Sequence, residues 1–210
     1  MKLIVGIDEA GRGPLAGPVS VGAFVADKKT GNWILKNIFN NKLRDSKKLS
    51  PKKRGEIYAK LSALKDEGKA SFFVSHISNK IIDKKGIIWS INHAIKTLLV
   101  NTKRSASNID LFEKSCVIKL DGLLKAPLEF KNQKTIIKGD EKDIFIACAS
   151  IIAKVRRDRL MCRLTKKYPK YKFETHKGYG TLLHRTLIKK HGLSPIHRKS
   201  YCKKLDQNLK

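Results

Sequence analysis

Apolar residues along the chain fall into short extended runs and longer helical stripes, in alternation. Leu3 to Ile7 is an apolar run that ends at Asp8, and Val19 to Val25 is a second, bounded by Gly17-Pro18 and Asp27. Both read as strands, with a glycine-rich turn between them. A third extended piece is expected from Trp33 to Phe39. Ser50-Pro51 supplies a helix cap followed by proline at the first helical position, and Ile57, Leu61 and Leu64 then recur at helical spacing until Gly68. Ala70 to Ser75 reads as a strand and Ser78 opens a short helix. From Ile87 to Val100, Ile88, Ile91, Ile95, Leu98 and Leu99 share one helical face.

The second half repeats the alternation. Cys116 to Leu120 is a strand ending at Asp121-Gly122, and Thr135 to Ile137 is another ending before Gly139. A long helix is expected from Lys142 to Lys167, with Ile144, Cys148, Ile151, Ile152, Val155, Leu160 and Leu164 as its apolar stripe and Pro169 closing it. A last helix from Thr181 to His191 ends at Gly192, and Ser194-Pro195 opens a basic tail. The class is α/β, read as a single domain over residues 1–210 with a helical, basic segment from about residue 170 onward.

Charge narrows the function. The 210 residues carry 46 Lys plus Arg against 18 Asp plus Glu, a formal net charge of +28, while 41% of residues are hydrophobic. A chain with that much apolar content is not a disordered basic tail. Self-repulsion on this scale is relieved by a polyanion, so nucleic acid is the expected partner. No stretch approaches the ~20 apolar residues needed to span a bilayer, and Asp8 arrives too early for a signal peptide. A cytoplasmic, membrane-free protein is expected. Cys116, Cys148, Cys162 and Cys202 lack paired spacing, so they read as reduced thiols and not as a disulfide framework or zinc site.

In so basic a chain the few carboxylates are informative. Asp8 and Asp121 each end an apolar strand, where sites assemble in open α/β sheets. On the long helix Ser150, Lys154 and Asp158 recur at i, i+4 and i+8 and form one polar stripe. Glu9 follows Asp8, and strand alternation would send the two apart unless the chain turns after Asp8. Ala10-Gly11-Arg12-Gly13-Pro14 supplies a turn, whose glycines allow close backbone approach and whose Arg12 suits a phosphate. Carboxylates held together call for a hard divalent cation, Mg²⁺ or Mn²⁺, and in a basic chain this is the arrangement of two-metal phosphodiester chemistry. Each acid also fits a simpler account: Glu9 paired with Arg12, Asp121 as a turn residue, and Asp158 paired with Arg157 or Lys154 on a solvated face.

The run from Gly6 through Asp8-Glu9-Ala10-Gly11-Arg12-Gly13-Pro14-Leu15-Ala16-Gly17-Pro18 to Val19 resembles the opening signature of ribonuclease HII. Four further blocks match in the same order. They are Asp45-Ser46-Lys47-Lys48-Leu49-Ser50, Asp121-Gly122, the run from Lys138-Gly139-Asp140 through Ser150 and Lys154 to Asp158, and His176-Lys177-Gly178-Tyr179-Gly180-Thr181. The resemblance implies an RNase H-like fold, a central mixed five-stranded sheet flanked by helices with a helical C-terminal segment. It implies an endonuclease that cuts the RNA strand of RNA/DNA hybrids and nicks duplex DNA 5′ to an embedded ribonucleotide; a monomer is the default expectation.

By position, Asp8, Glu9, Asp121 and Asp158 become the metal-binding carboxylates. Gly11, Arg12 and Gly13 would read the 2′-hydroxyl and Tyr179 would stack on the next sugar. Ser46, Lys47, Ser150, Lys154, His197 and Arg198 are expected to contact substrate, with His184 and His191 as further candidates to line the groove. Cys148 stands in a run that is usually alanine, and Leu123-Leu124 follows Asp121-Gly122 where polar residues are more familiar. The sister family, ribonuclease HIII, lacks the Gly-Arg-Gly turn, which favours HII. A binding module without catalysis is the alternative from another class, and the presence of all four acids lends it no support.

Overall fold

The computed structural model describes residues 2–43, 46, 48–104 and 116–206. Its centre is a five-stranded sheet built from β1 (Leu3–Ala10), β2 (Val19–Asp27), β3 (Ser71–Ile77), β4 (Val117–Asp121) and β5 (Gln133–Ile136), in the order β3-β2-β1-β4-β5. The β1–β2 and β2–β3 pairs are antiparallel, whereas β1–β4 and β4–β5 are parallel, so the sheet is mixed. Apart from the piece expected at Trp33 to Phe39, the expected strands are present, most of them longer than their apolar runs.

Between β2 and β3 lie α1 (Lys28–Asn37) and α2 (Pro51–Asp66); α3 (Asn79–Lys85) and α4 (Ile87–Arg104) follow β3. After β5 come a single turn, α5 (Gly139–Lys142), and the 24-residue α6 (Ile144–Lys167). The chain then runs through α7 (Phe173–His176), α8 (Leu182–His191) and α9 (Lys199–Asp206). No helix among the described residues is long and apolar enough to cross a membrane.

The strand expected from Trp33 to Phe39 is instead the end of α1. Asp27 caps this helix by accepting from the Thr30 amide at 2.7 Å, and Ile34 and Ile38, four apart, share the buried face. A short apolar run satisfies either period, and here the cap decides. The Ser50 cap of α2 does form: its hydroxyl accepts from the Lys53 amide at 3.2 Å, a contact typically worth about 1 kcal/mol.

Two apolar layers sandwich the sheet. On one face Val5, Ile7, Ile118 and Leu120 pack with Ile91, Ile95 and Leu98 of α4; on the other Phe24 and Ala26 pack with Phe145, Ala149 and Ile152 of α6. Helix α6 lies unusually close to the sheet. A Cβ on Gly6 would stand 2.1 Å from the Phe145 carbonyl carbon, and one on Gly22 would stand 2.6 Å from the Ala149 oxygen. Those two glycines therefore let the helix backbone rest on the strands, and Cys148, fully buried there, packs as a small apolar residue. Along β1 the alternation that turns Gly6 toward α6 also turns Asp8 toward it, and Asp121 shares that face because Ile118 and Leu120 occupy the other.

Candidate active site

Strand β1 does not turn after Asp8. It continues through Ala10, with Asp8 opposite Gly22 and Glu9 opposite Val21, and the turn begins only at Gly11, where φ is +91°. Asp8 is therefore sunk against α6, 5% exposed. The Glu9 amide donates to its Oδ1 at 2.7 Å, and the Ser150 side chain bonds to the same carboxyl group. Ser150 in turn shares a 2.8 Å hydrogen bond with Ser46. Burial first, then the Glu9 and Asp121 carboxylates, push the Asp8 carboxyl well above the usual range for an aspartic acid.

The other three acids are held at different points. Glu9 pairs with Arg12 at 3.4 Å, and Asp121 accepts from the Gly139 amide at 2.7 Å. Asp158 pairs with Lys154 at 2.9 Å and with buried Arg54 at 3.8 Å. Two of the simpler pairings, Glu9 with Arg12 and Asp158 with Lys154, thus exist. Among the described residues no three His, Cys, Asp or Glu side chains converge as a finished ligand set. The donor chemistry nonetheless fits a divalent cation: a buried carboxylate facing two more carboxylates is the environment that such a charge relieves.

A cleft of about 670 Å³ opens beside these acids. It is lined by Glu9 and the Gly11–Arg12–Gly13 turn, by Ser46 and Arg54, by Ser150 and Lys154, and by Tyr179. Asp158 lines an adjoining groove of about 600 Å³, with Arg54 common to both. Tyr179 is 38% exposed, with the Lys154 ammonium 5.5 Å and the Arg157 guanidinium 5.7 Å from its ring centre. Lys47 lies outside the described residues.

The expectation for His197 and Arg198 needs correction. They are 1% and 0% exposed, and neither presents its polar atoms to a substrate. His197 accepts at Nδ1 from the Ser194 amide at 2.8 Å, so its proton sits on Nε2, which donates to His184 Nε2 at 3.0 Å. That leaves the His184 proton on Nδ1, donating to the Tyr179 carbonyl at 2.9 Å. A relay of two neutral imidazoles thus holds the tyrosine segment from below. Exposed histidine is the commoner state in a basic segment, so nothing in the sequence set these two apart.

Arg54 and Arg157 are residues at or beneath the cleft that the sequence pattern did not single out. Arg54 looks like one more cation in the Lys52-Lys53-Arg54 run, yet it donates to the Ser46 carbonyl at 2.9 Å and to the Leu49 carbonyl. Arg157 carried a signal that could have found it: it lies four residues from Ala153 and four from Met161, both fully buried.

Because burial depresses the His184 and His197 pKa values to about 4, each folded ring stays neutral where the unfolded one takes a proton. The stability they contribute is complete above about pH 6.5 and is lost as pH falls to about 4. A drop in melting temperature of roughly 5 °C or more across that window is expected, discounted for coupling between the rings. Thermal melts of the parent and of the His184→Gln, His197→Gln double variant check this, the variant giving the flatter curve.

Comparison with known proteins decides the family. The family model described as Ribonuclease HII matches residues 5–204. The chain belongs to the ribonuclease HII family. A ribonuclease HII from Caldicellulosiruptor bescii is 41% identical over 204 residues, covering 97% of this chain and 88% of the relative. The crystal structure of ribonuclease H2 from Pyrococcus horikoshii OT3 superposes with a TM-score of 0.70 at 24% identity, covering 99% and 98% of the two chains. Bst-RNase HIII in complex with Mn²⁺ gives a TM-score of 0.68 at 18% identity, covering 100% of this chain and 70% of that one. The fold is thus that of the RNase H structures, and this ribonuclease HII is a divalent-metal-dependent nuclease of the class acting on the RNA of RNA/DNA hybrids.

Proposed function

We propose that this ribonuclease HII hydrolyses the RNA strand of hybrids and also incises duplex DNA immediately 5′ to an embedded ribonucleotide, leaving 3′-hydroxyl and 5′-phosphate ends, as the first step of ribonucleotide removal. The observation that carries the reading is the buried Asp8 carboxyl, pushed up by Glu9 and Asp121 in a chain of net charge +28. Asp8, Glu9, Asp121 and Asp158 would hold two divalent cations, Mg²⁺ or Mn²⁺; the Mn²⁺ complex of the HIII neighbour supports that class of ion. When bound, such cations supply charge for in-line water attack and for departure of the 3′-oxygen.

The chain's own residues bind and orient. Ser150 fixes the Asp8 carboxyl, Ser46 fixes Ser150, and Arg54 fixes the Ser46 carbonyl. The Gly11–Arg12–Gly13 backbone meets the 2′-hydroxyl, which can accept from an N–H where a deoxyribose offers nothing. Arg12 and Lys154, now on Glu9 and Asp158, are the cations placed to turn toward phosphates, and Lys47 is assigned the same task from the sequence. Tyr179 offers a flat, half-exposed face to the following deoxyribose. All of this belongs to one catalytic unit working as a cytoplasmic monomer.

The test is incision of a labelled DNA duplex containing one ribonucleotide, with Mg²⁺, Mn²⁺ and chelator compared and an all-DNA duplex as control. A metal-dependent nick directly 5′ to the ribonucleotide is expected. Cleavage of a long hybrid with no nick in this duplex would overturn the assignment of the turn.

A further inference from the structure

Arg157 and Arg198 are the largest fully buried side chains of the described residues, and both pack against the Gly11–Arg12–Gly13 turn. Their hydrogen bonds go to main-chain carbonyls. Arg157 donates to Pro18, Ala16 and Lys177. Arg198 donates from Nη2 to Gly11 at 2.7 Å, from Nη1 to Arg12 at 2.8 Å and from Nε to Gly17 at 3.0 Å. The Tyr201 hydroxyl donates to the Arg12 carbonyl at 3.2 Å, and the Tyr201 ring covers the guanidinium at 5.1 Å. The tail is also anchored through its backbone, with the Arg198 amide on Leu15 at 2.7 Å and the Gly17 amide on Ile196 at 2.9 Å.

A peptide unit is planar, with its N–H opposed to its C=O. A guanidinium that draws the Gly11 and Arg12 carbonyls inward therefore turns the Arg12 and Gly13 amides outward, toward the cleft that those residues line. Among the described residues neither amide donates to a backbone carbonyl. Two successive N–H groups held rigid and without an acceptor discriminate by what they are denied: an amide that cannot turn back to its own chain penalises a sugar lacking the oxygen. A loose turn would let the same amides reorient, and the penalty would fade.

We propose that Arg198 is the positioning residue that sets the ribonucleotide specificity of the cleft, acting through the Gly11 and Arg12 carbonyls. This rests on the reading that the turn meets the 2′-hydroxyl. A duplex with one ribonucleotide offers a 2′-hydroxyl in a single register, whereas a hybrid offers one in every register. Loosening the turn therefore costs more on the first substrate than on the second.

The experiment is the ratio of kcat/KM for the single-ribonucleotide duplex to that for a long hybrid, both in Mg²⁺. Both values come from one preparation, so a loss of folded enzyme cancels. Arg198→Lys keeps the charge but not the three-pronged reach, and the ratio is expected to fall about tenfold. Tyr201→Phe removes one bond to the Arg12 carbonyl while keeping the ring, and about a two- to threefold fall in the ratio is expected. Should the lysine variant fail to fold, the phenylalanine variant carries the test. An unchanged ratio, with both substrates losing activity in step, overturns the proposal and leaves Arg198 a structural residue only. Failure of the underlying reading shows earlier, as a parent enzyme that does not incise the single-ribonucleotide duplex at all.

Discussion

Asp8→Asn is expected to lower cleavage by at least about a thousandfold while raising the melting temperature measured without divalent cation. Asparagine has nearly the same shape and keeps both local hydrogen bonds, its oxygen accepting from the Glu9 amide and its NH₂ donating to Ser150. What it removes is charge. In the parent, burial and the Glu9 and Asp121 carboxylates raise the Asp8 pKa in the fold. The folded state therefore holds a proton that the unfolded state has released, and stability falls as pH climbs from about 4 through the raised value. At neutral pH the parent bears such a penalty and the variant, which has no charge to lose or gain there, does not.

A divalent cation relieves the same repulsion, so Mg²⁺ or Mn²⁺ should raise the parent's melting temperature and shift the variant's much less. Melts with and without cation, beside hybrid cleavage rates, make the check. A variant that cuts normally would remove Asp8 from the chemistry, and one that fails to bind hybrid at low salt would make it a structural residue.

Gly6→Ala should be severely damaging for a single added methyl group. The added carbon would sit 2.1 Å from both the carbon and the oxygen of the Phe145 carbonyl and 2.6 Å from the Ile146 nitrogen. These are backbone atoms in the first turn of α6, so no side-chain rotation relieves them. The helix must lift from the sheet, and with it go Ser150, Lys154 and Asp158. A loss of about 3–5 kcal/mol in denaturant unfolding is expected, with activity falling even in the fraction that folds. Gly55→Ala is the matched control, since an added carbon there meets nothing within 4 Å in the middle of α2. It should be neutral or stabilising by about 0.5–1 kcal/mol.

The sequence carried the strands and amphipathic helices because periodicity reports one-sided burial directly. It misled at Trp33–Phe39, where a short apolar run fits two periods and the deciding Asp27 cap sits six residues upstream. Asp8 and Asp121 stood out because an acid that ends an apolar run is unusual, and the five ordered blocks gave the family. Arg54 and Arg157 were not legible, and Arg198, expected to contact substrate, is instead buried. Their roles rest on contacts with carbonyls far away in the chain, and an arginine among dozens of cations has no local mark of burial. Helical spacing could have shown Arg157 to be internal, but it would not have shown what lies above it.

The partners of the Gly11–Arg12–Gly13 turn also fix when it can be finished. Asp8 is made about a hundred residues before its parallel neighbour β4, and the Arg198 prong on Gly11 closes a separation of 187 residues. Long-range contacts of this kind form late in folding because the intervening loop must first be closed. A growing chain can pair β1 with β2 and begin a core, yet the Gly11–Arg12–Gly13 turn stays unbraced until Arg198 has been made. The bracing of this turn is thus completed only once the segment around Arg198 has been made, and a nascent chain that stops short of it carries the acids without that brace.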